Sequence, residues 1–460
     1  MNTEKQQKSV KKLQPACPAV ASVFIWGSGQ LWNKEYVKAA FFFLIQMSLI
    51  GIELITGKYF TGSYAFRENG GFFVKGIWGL ITLGTKPRTL TLTGVTEGDH
   101  SIILMIRGII VSLILVIYIA VYLWNIKDAY RSRKLYNETG LRGTAIDYIQ
   151  EIWSKCFHYV VLLPAILLLM FLSVMPIIFS ALTAFTNYTK SNMPPTKLVE
   201  WVGLKNFMNL INIPIWSKTF LGVLGWTVIW AFASTLTCFA AGLFQAVILN
   251  NEKIKFRRIW RGIYILPWAI PGMISLLVFR TMFNGQFGPI SQLLLDLGIT
   301  TQRISWFTDP TRPNLARITL ILVNLWMGFP YFMALMTGIM TGIPQELYEA
   351  AKLDGASPKD EFRRITLPLV LNAAAPLIIM SFAGNFNNFG TIYFLTDGGP
   401  VNTAYQFAGS TDILITWIYK LTLDNQLYNM ASVFSILIFL VIGSMSIWNL
   451  RRTKAFKDEY

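Results

Sequence analysis

Eight long apolar runs dominate this chain and restrict what it can fold into. Crossing roughly 30 Å of hydrocarbon takes about 20 helical residues. Runs of that length occur near residues 37–56, 101–124, 159–186, 219–249, 261–281, 315–341, 369–395 and 429–449. A spanning segment must satisfy its backbone hydrogen bonds internally, so these runs are expected to be helices. The sequence therefore predicts an all-α, polytopic membrane protein with about eight transmembrane helices.

Two shorter apolar stretches, Ala19–Trp32 and Gly71–Gly84, are rich in Gly and Trp. Because they are too short to span a bilayer, we expect interfacial or re-entrant pieces. The composition agrees with a membrane protein, since hydrophobic residues make up 53% of the chain and charged residues 14%. Soluble domains carry roughly 25% charged residues. An ordinary soluble enzyme is thereby excluded.

Cysteine and histidine usage argues against a disulfide framework and a metal centre. Cys17, Cys156 and Cys238 are widely spaced and odd in number, and the only histidines are His100 and His158. Neither pattern has the spacing of a disulfide scaffold or a metal-ligand set. We expect this chain to hold no metal and no cofactor of its own.

The net charge of +16 indicates how the chain is oriented in the membrane and does not indicate an anionic ligand. If the N-terminus lies inside, the inner segments hold 23 lysines and arginines and the outer segments hold 12. Basic residues concentrate on the cytoplasmic side of membrane proteins, so both termini are expected in the cytosol of a bacterial cell. Because this charge is spread over every inner loop, it does not form the basic face of a nucleic-acid binder.

The spans lack the groups that an ion-coupled carrier uses. Four of them, 159–186, 219–249, 369–395 and 429–449, contain no ionisable residue. Proton relays and ion paths usually need such groups inside the membrane. No phosphate-binding loop is present either, since Gly79 to Lys86 carries its Thr and Lys in the wrong order. If ATP powers transport here, another chain must bind it.

The segment between the sixth and seventh spans, residues 342–368, carries clear helix signals. Pro344 suits a first helical position, and Gly355 suits the left-handed residue that ends the helix. Ser357 is expected to cap a second helix that has Pro358 at its first position and ends at Pro368. We therefore predict two short helices with small alanines on one face, which suits close approach to a partner.

Three motifs in this segment resemble the EAA loop of ATP-binding-cassette (ABC) importer permeases. They are Glu349-Ala350-Ala351, Asp354-Gly355-Ala356 and Ile365-x-Leu367-Pro368. The resemblance implies a type I permease fold whose coupling helix docks into a cleft of the ATPase subunit. It assigns the coupling role to Glu349, Ala350, Ala351, Asp354 and Gly355, with Glu349 and Gly355 carrying the contact.

The likeness extends over roughly residues 159–460 and is greatest to the maltose and maltodextrin permeases of that family. It rests on Asn324-Leu-Trp-Met-Gly328-Phe-Pro330-Tyr331, Ser381-Phe-Ala-Gly-Asn385-Phe-Asn387-Asn388-Phe389 and Leu395-Thr-Asp-Gly-Gly-Pro400. The outer segment 187–218 is short where Gram-negative members carry a large periplasmic domain, which suggests a Gram-positive version. Gly384 stands where the best-known relative has an aromatic residue.

Polar residues recur at helical spacing in the seventh span. Ser381, Asn385 and Asn388 lie at i, i+4 and i+7, which predicts one stripe of a helix. Such groups suit sugar hydroxyls, but they also join transmembrane helices, and spacing alone leaves both interpretations open. The family resemblance favours sugar and assigns a substrate site to Gly328, Tyr331, Ser381, Asn385 and Asn388. We keep the helix-joining role for Asn387.

These observations predict four regions. They are a cytosolic tail with an interfacial segment (1–36), an accessory region of two spans (37–158), a permease core (159–450) and a second cytosolic tail (451–460).

The resemblance implies a permease without catalytic residues that imports malto-oligosaccharides across the plasma membrane. Its expected partners are a second homologous permease, two ATPase subunits that bind ATP and Mg, an extracellular sugar-binding lipoprotein, the oligosaccharide and membrane lipid. Alternatives are a permease for galacto-oligosaccharide, raffinose or another sugar, an ion-coupled secondary carrier, and a non-transporting scaffold.

Overall fold

The computed structural model describes residues 14–59, 69–91, 94–95, 98–140, 144, 150, 153–154, 157–251 and 254–452. Residues 1–13 and 453–460 of the predicted cytosolic tails, and Cys156, lie outside these ranges. The first helices are α1 Ala16–Phe24, α2 Ser28–Trp32, α3 Tyr36–Thr56, α4 Phe72–Thr82, α5 Ser101–Thr139 and α6 Phe157–Thr183. A short hairpin pairs β1 Leu90–Thr91 with β2 Gly94–Val95.

The second half of the chain continues in helices. They are α7 Lys205–Asn212, α8 Pro214–Asn250, α9 Arg257–Ala269, α10 Gly272–Met282, α11 Pro289–Asp296, α12 Pro313–Thr341, α13 Gln345–Leu353, α14 Pro358–Phe386, α15 Phe389–Thr396, α16 Leu414–Tyr419 and α17 Tyr428–Arg452. Single π-helical turns interrupt α6 at Met170–Val174 and α14 at Phe362–Thr366, and another follows α16 at Lys420–Asp424.

The predicted spans are recovered as helices. Within the described ranges, α3, α5, α6, α8, α12 and α14 are each long and apolar enough to cross a membrane. The pair α9 and α10 qualifies as one broken span, and α17 covers the eighth predicted run with a shorter apolar part, Tyr428–Ser444. The all-α, polytopic prediction is confirmed.

The helix predicted over 261–281 is present as two pieces. Helices α9 and α10 meet at an angle of 88°. The break falls at Ile270, whose φ of −100° and ψ of 131° are extended, directly before Pro271. Proline disfavours helical geometry in the residue before it and supplies no N–H, so the chain turns at this point.

Contacts among the described residues divide the chain at Gly203 into two units. In the first unit, the predicted interfacial stretches form α1, α2 and α4, which pack on α5. Gly108 allows α4 to approach closely, because a Cβ there would lie 2.4 Å from Cβ of Leu80. The boundary at residue 159 between the accessory region and the permease core is a functional division, and it stays a prediction.

The second unit is organised around α8, which packs along α12 and α14. The backbones of α8 and α12 come close at Gly242, where a Cβ would lie 2.4 Å from Cβ of Phe332. Small residues at helix contacts are typical of membrane proteins, since close van der Waals packing holds the helices together there. This close pair forms one wall of the site described next.

Candidate functional site

A cavity of about 280 Å³ lies in the second unit, between α8, α12 and the junction of α14 with α15. The side chains and backbone that line it belong to Cys238, Asn324, Met327, Gly328, Tyr331, Phe332, Ser381, Asn385, Asn388 and Thr391. All five residues predicted to bind substrate are among them, although they come from two separate segments of the sequence. The structure therefore brings the predicted set together around one space.

The predicted single stripe on the seventh span is wrong at Asn388. Helix α14 ends at Phe386, and the φ and ψ of Asn387 and Asn388 are not helical. Asn388 begins α15 as its N-cap, and its side-chain oxygen accepts from the N–H of Thr391 at 3.2 Å. Asparagine satisfies a helix N-terminus well, so two successive asparagines favour a break over a continuous helix. Only Ser381 and Asn385 remain on α14.

Asn385 is held in one orientation by neighbours outside the predicted set. Its side-chain NH₂ donates to Oγ1 of Thr235 at 2.9 Å, and its side-chain oxygen faces Nδ2 of Asn388 at 3.5 Å. The indole N–H of Trp230 donates to its backbone carbonyl at 3.1 Å. These contacts assign the amide nitrogen to Thr235 and turn the amide oxygen toward Asn388.

Three lining hydroxyls have no hydrogen-bond partner among the described residues. They are those of Tyr331 on α12, Ser381 on α14 and Thr391 on α15. The ring of Tyr331 packs beside Phe332 at 5.2 Å and beside Trp268 at 5.7 Å between centroids. Free hydroxyls can donate and accept, and flat rings suit apolar faces of a ligand. This wall can therefore bind a molecule that has both hydroxyls and C–H faces.

The predicted substrate-binding set left out five lining residues: Cys238, Asn324, Met327, Phe332 and Thr391. Asn324 shares a helical stripe with Gly328 and Tyr331, so its spacing was an available signal. Cys238 lies on α8, and only the packing of α8 on α12 brings its Sγ to 3.6 Å from the backbone oxygen of Asn324. No pattern in the sequence carries that contact.

Gly328 is required by close packing as well as by the cavity. A Cβ at this position would lie 2.7 Å from Sγ of Cys238. We expect Gly328→Ala to lower the free energy of unfolding by about 1–3 kcal/mol through overpacking. Adding Cys238→Ala removes the clashing sulfur and is expected to restore most of the loss. Thermal unfolding of the detergent-solubilised single and double variants measures this, and additive losses would contradict it.

The loop 342–368 has the two predicted helices, with two corrections. Pro344 is the N-cap of α13, one position before the predicted one. Pro368 does not end the second helix, because α14 continues to Phe386 through the π-helical turn Phe362–Thr366. In that turn the N–H of Leu367 bonds to the carbonyl of Phe362, five residues back. Proline needs no such donor, so a wide turn can precede it without a lost hydrogen bond.

The local caps of this loop are as predicted. Gly355 has a φ of +79°, in the left-handed region, and a Cβ there would meet no atom within 4 Å. Ser357 and Asp360 form a reciprocal capping box at the start of α14. The hydroxyls of Tyr348 and Thr366 hydrogen bond at 2.8 Å and tie α13 to α14. The loop is thus a structured helix pair.

The residues assigned to ATPase coupling lie on a surface of this helix pair. Glu349, Ala350, Asp354 and Gly355 are exposed, and Ala351 is half-buried. Beside them Leu353 is 90% exposed. A large apolar side chain and small alanines on one exposed helix are typical of a surface that another protein covers.

Comparison with known proteins identifies the family. Residues 238–454 match the family described as "binding-protein-dependent transport system inner membrane component". The chain is 39% identical to the galactooligosaccharides transport system permease protein GanP of Bacillus subtilis, over 94% of this chain and 96% of that protein. It is 36% identical to the maltodextrin permease MalC of Streptococcus pneumoniae, over 98% of this chain and 99% of that one. The chain belongs to this permease family.

Two further likenesses cover only part of this chain. The permease is 37% identical to MalF of Escherichia coli over 60% of this chain and 53% of that protein. The solved structure of a bacterial ABC transporter that imports alginate has a chain of the same fold, with a TM-score of 0.53 and 23% identity over 66% of this permease. The permease is therefore a multi-pass membrane subunit of an ABC transporter and not an enzyme. The family match includes the cavity and the loop 342–368.

Proposed function

We propose that this permease carries malto-oligosaccharides through the membrane and that the cavity between α8, α12 and the α14–α15 junction is their binding site. The observation that supports this most is the chemistry of the ten lining residues, which combine amides, hydroxyls and aromatic rings. Amides and hydroxyls can donate and accept at once, which suits sugar hydroxyls. The rings of Tyr331 and Phe332 suit the sugar's C–H faces.

The absence of charge in this lining favours a neutral sugar. None of the described residues around the cavity is Asp, Glu, Lys, Arg or His. An acidic oligosaccharide would bring carboxylates into a site without a cation, and burying an unpaired charge is costly. Neutral oligosaccharides are therefore the proposed substrate class.

Energy for the transport is proposed to come from ATP hydrolysed on other subunits. The exposed helix α13, which carries Glu349, and the turn at Gly355 that follows it form the proposed docking site for one of two ATPase subunits, which hold ATP and Mg. A second homologous permease and an extracellular sugar-binding lipoprotein complete the proposed assembly. Both termini of the permease are proposed to lie in the cytosol, as the distribution of Lys and Arg favours.

Galacto-oligosaccharide is the second candidate substrate. It is supported by the 39% identity to GanP, against 36% to the maltodextrin permease MalC. The experiment is uptake of radiolabelled maltotriose by cells that carry or lack the permease, with unlabelled competitors. Competition by maltodextrin and not by galacto-oligosaccharide or raffinose is expected. The reverse order would assign the site to galacto-oligosaccharide.

Reconstitution separates the transporter from the remaining alternatives. Proteoliposomes that contain the permease without an ATPase are expected to show no uptake under an imposed ion gradient, because four spans lack ionisable residues. In the complete assembly, loaded binding protein is expected to stimulate ATP hydrolysis. Gradient-driven uptake would favour a secondary carrier, and unstimulated hydrolysis would favour a scaffold.

A further inference from the structure

A buried ion pair joins Asp412, in the loop between α15 and α16, to Lys420, the first residue of the π-helical turn after α16. Asp412 is 1% exposed, and its Oδ2 accepts from the ammonium of Lys420 at 2.8 Å and from the N–H of Gly409 at 2.7 Å. Burial raises the pKa of this carboxyl above its usual range, and the ammonium of Lys420 opposes the rise. A buried carboxylate depends on such a partner, because loss of the cation leaves an uncompensated charge.

The same ammonium also holds the end of α15. Nζ of Lys420 donates to the backbone carbonyl of Asp397 at 2.7 Å, and Asp397 is the left-handed C-cap of α15. A cation at this end satisfies a free carbonyl and complements the negative end of the helix dipole. One lysine therefore joins the buried carboxylate to the last turn of α15.

The segment around Asp412 packs closely against the end of α15, so a displacement of one is expected to displace the other. A Cβ on Gly398 would lie 2.1 Å from Oδ1 of Asp412, so only glycine fits there. The hydroxyls of Thr396 and Thr411 hydrogen bond at 2.9 Å. The end of α15 is thus packed directly against the segment that contains Asp412.

Helix α15 is short, and its other end borders the cavity. It runs from Phe389 to Thr396, a length of about 12 Å at 1.5 Å per residue. Its N-cap Asn388 and its third residue Thr391 both line the cavity. A helix of two turns moves as one body. A displacement of its C-terminal end at Asp397 therefore also displaces Asn388 and Thr391.

We propose that Asp412 and Lys420 are positioning residues, and that their buried ion pair fixes α15 so that Asn388 and Thr391 face the cavity. The placement of α15 follows from the contacts of this loop alone. The consequence for sugar rests on the function proposed above. The pair lies at the opposite end of α15 from the cavity and does not touch the proposed substrate.

Hydrogen–deuterium exchange of the full chain in nanodiscs tests the placement of α15. Lys420→Met is expected to raise exchange of the amides of residues 391–399 by about tenfold or more, because local opening becomes easier. Lys420→Arg is expected to stay near the unaltered protein. Lys218→Met is the matched control, since Lys218 is an exposed lysine with no ion pair among the described residues. Unchanged exchange in Lys420→Met overturns the proposal.

A second variant decides the question if Lys420→Met does not fold. Asp412→Asn keeps the shape of the side chain and removes its charge, so we expect exchange over 391–399 to rise by about threefold or more. Exchange equal to that of the unaltered protein would overturn the proposal in that case.

Transport then tests the consequence for the cavity. Radiolabelled maltotriose uptake per membrane-inserted molecule is expected to fall about fivefold or more in Lys420→Met and to recover in Lys420→Arg. Faster exchange with unchanged uptake would overturn the link to the cavity. If the unaltered permease takes up no sugar, the proposed function fails, and the exchange measurement still decides whether the ion pair places α15.

Discussion

Gly355→Trp is expected to reduce sugar uptake by about tenfold or more while the permease remains in the membrane. A Cβ at Gly355 meets no atom within 4 Å, so the indole has room inside this chain. Its φ of +79° disfavours residues that have a Cβ. The new ring would lie on the exposed surface directly after Asp354, on the helix pair where we propose that the ATPase docks. Uptake assays with immunoblots of the membrane fraction measure the effect.

Two comparisons show whether the loss arises at the docking surface. Gly140 also ends a helix with a positive φ, of +71°, and a Cβ there would meet no atom within 4 Å. Gly140→Trp is therefore a matched control and is expected to leave uptake unchanged. Gly355→Asn keeps the left-handed turn, because asparagine tolerates it, and is expected to retain more uptake than the tryptophan variant. Normal uptake by Gly355→Trp would refute the assigned coupling role.

Replacing Asn385 and Asn388 together by Ala is expected to lower sugar uptake by about thirtyfold. The estimate follows from two lost hydrogen bonds at about 1 kcal/mol each. Both amides line the cavity, and the contacts of Asn385 with Thr235 and Asn388 place them before a ligand arrives. Initial rates of radiolabelled maltotriose uptake, normalised to membrane-inserted protein, measure the loss. Copurification of the ATPase is expected to be unaffected.

Asn387→Ala is the matched control for that pair. Asn387 lies between the two residues in sequence, but it is exposed and does not line the cavity. We expect its substitution to leave uptake within about twofold of normal, as for most exposed sites. Equal losses from Asn387→Ala and from the double variant would mean that the break between α14 and α15 matters, and not the amides in the cavity.

Local signals explain why the loop 342–368 was largely predictable. The capping box of Ser357 and Asp360 and the left-handed Gly355 depend on residues within one helical turn of each other. The prediction failed at Pro368, where a π-helical turn carries the chain onward as α14. That turn depends on the long helix that follows and packs on α8, which the local sequence does not report.

The cavity shows the limit of reasoning from spacing. The polar residues Ser381, Asn385 and Asn388 line one cavity, but the chain breaks at Asn387 and Asn388, so they do not follow one helix. Thr235 and Cys238 contribute from α8, and their contacts join residues roughly 90 to 150 positions apart. Such contacts arise only when apolar helices pack side by side.

Hydrophobic run length and the loop motifs determined from sequence alone that this chain is a polytopic permease. Backbone N–H and C=O groups need hydrogen-bond partners in hydrocarbon. A long apolar run that spans the membrane therefore forms a helix, which supplies those partners internally. The tertiary structure decided where helices break, which side chains share the cavity, and that Lys420 pairs with Asp412 at the end of α15. Those features depend on packing between segments distant in sequence or on a buried charge. Neither produces a periodic pattern in the sequence.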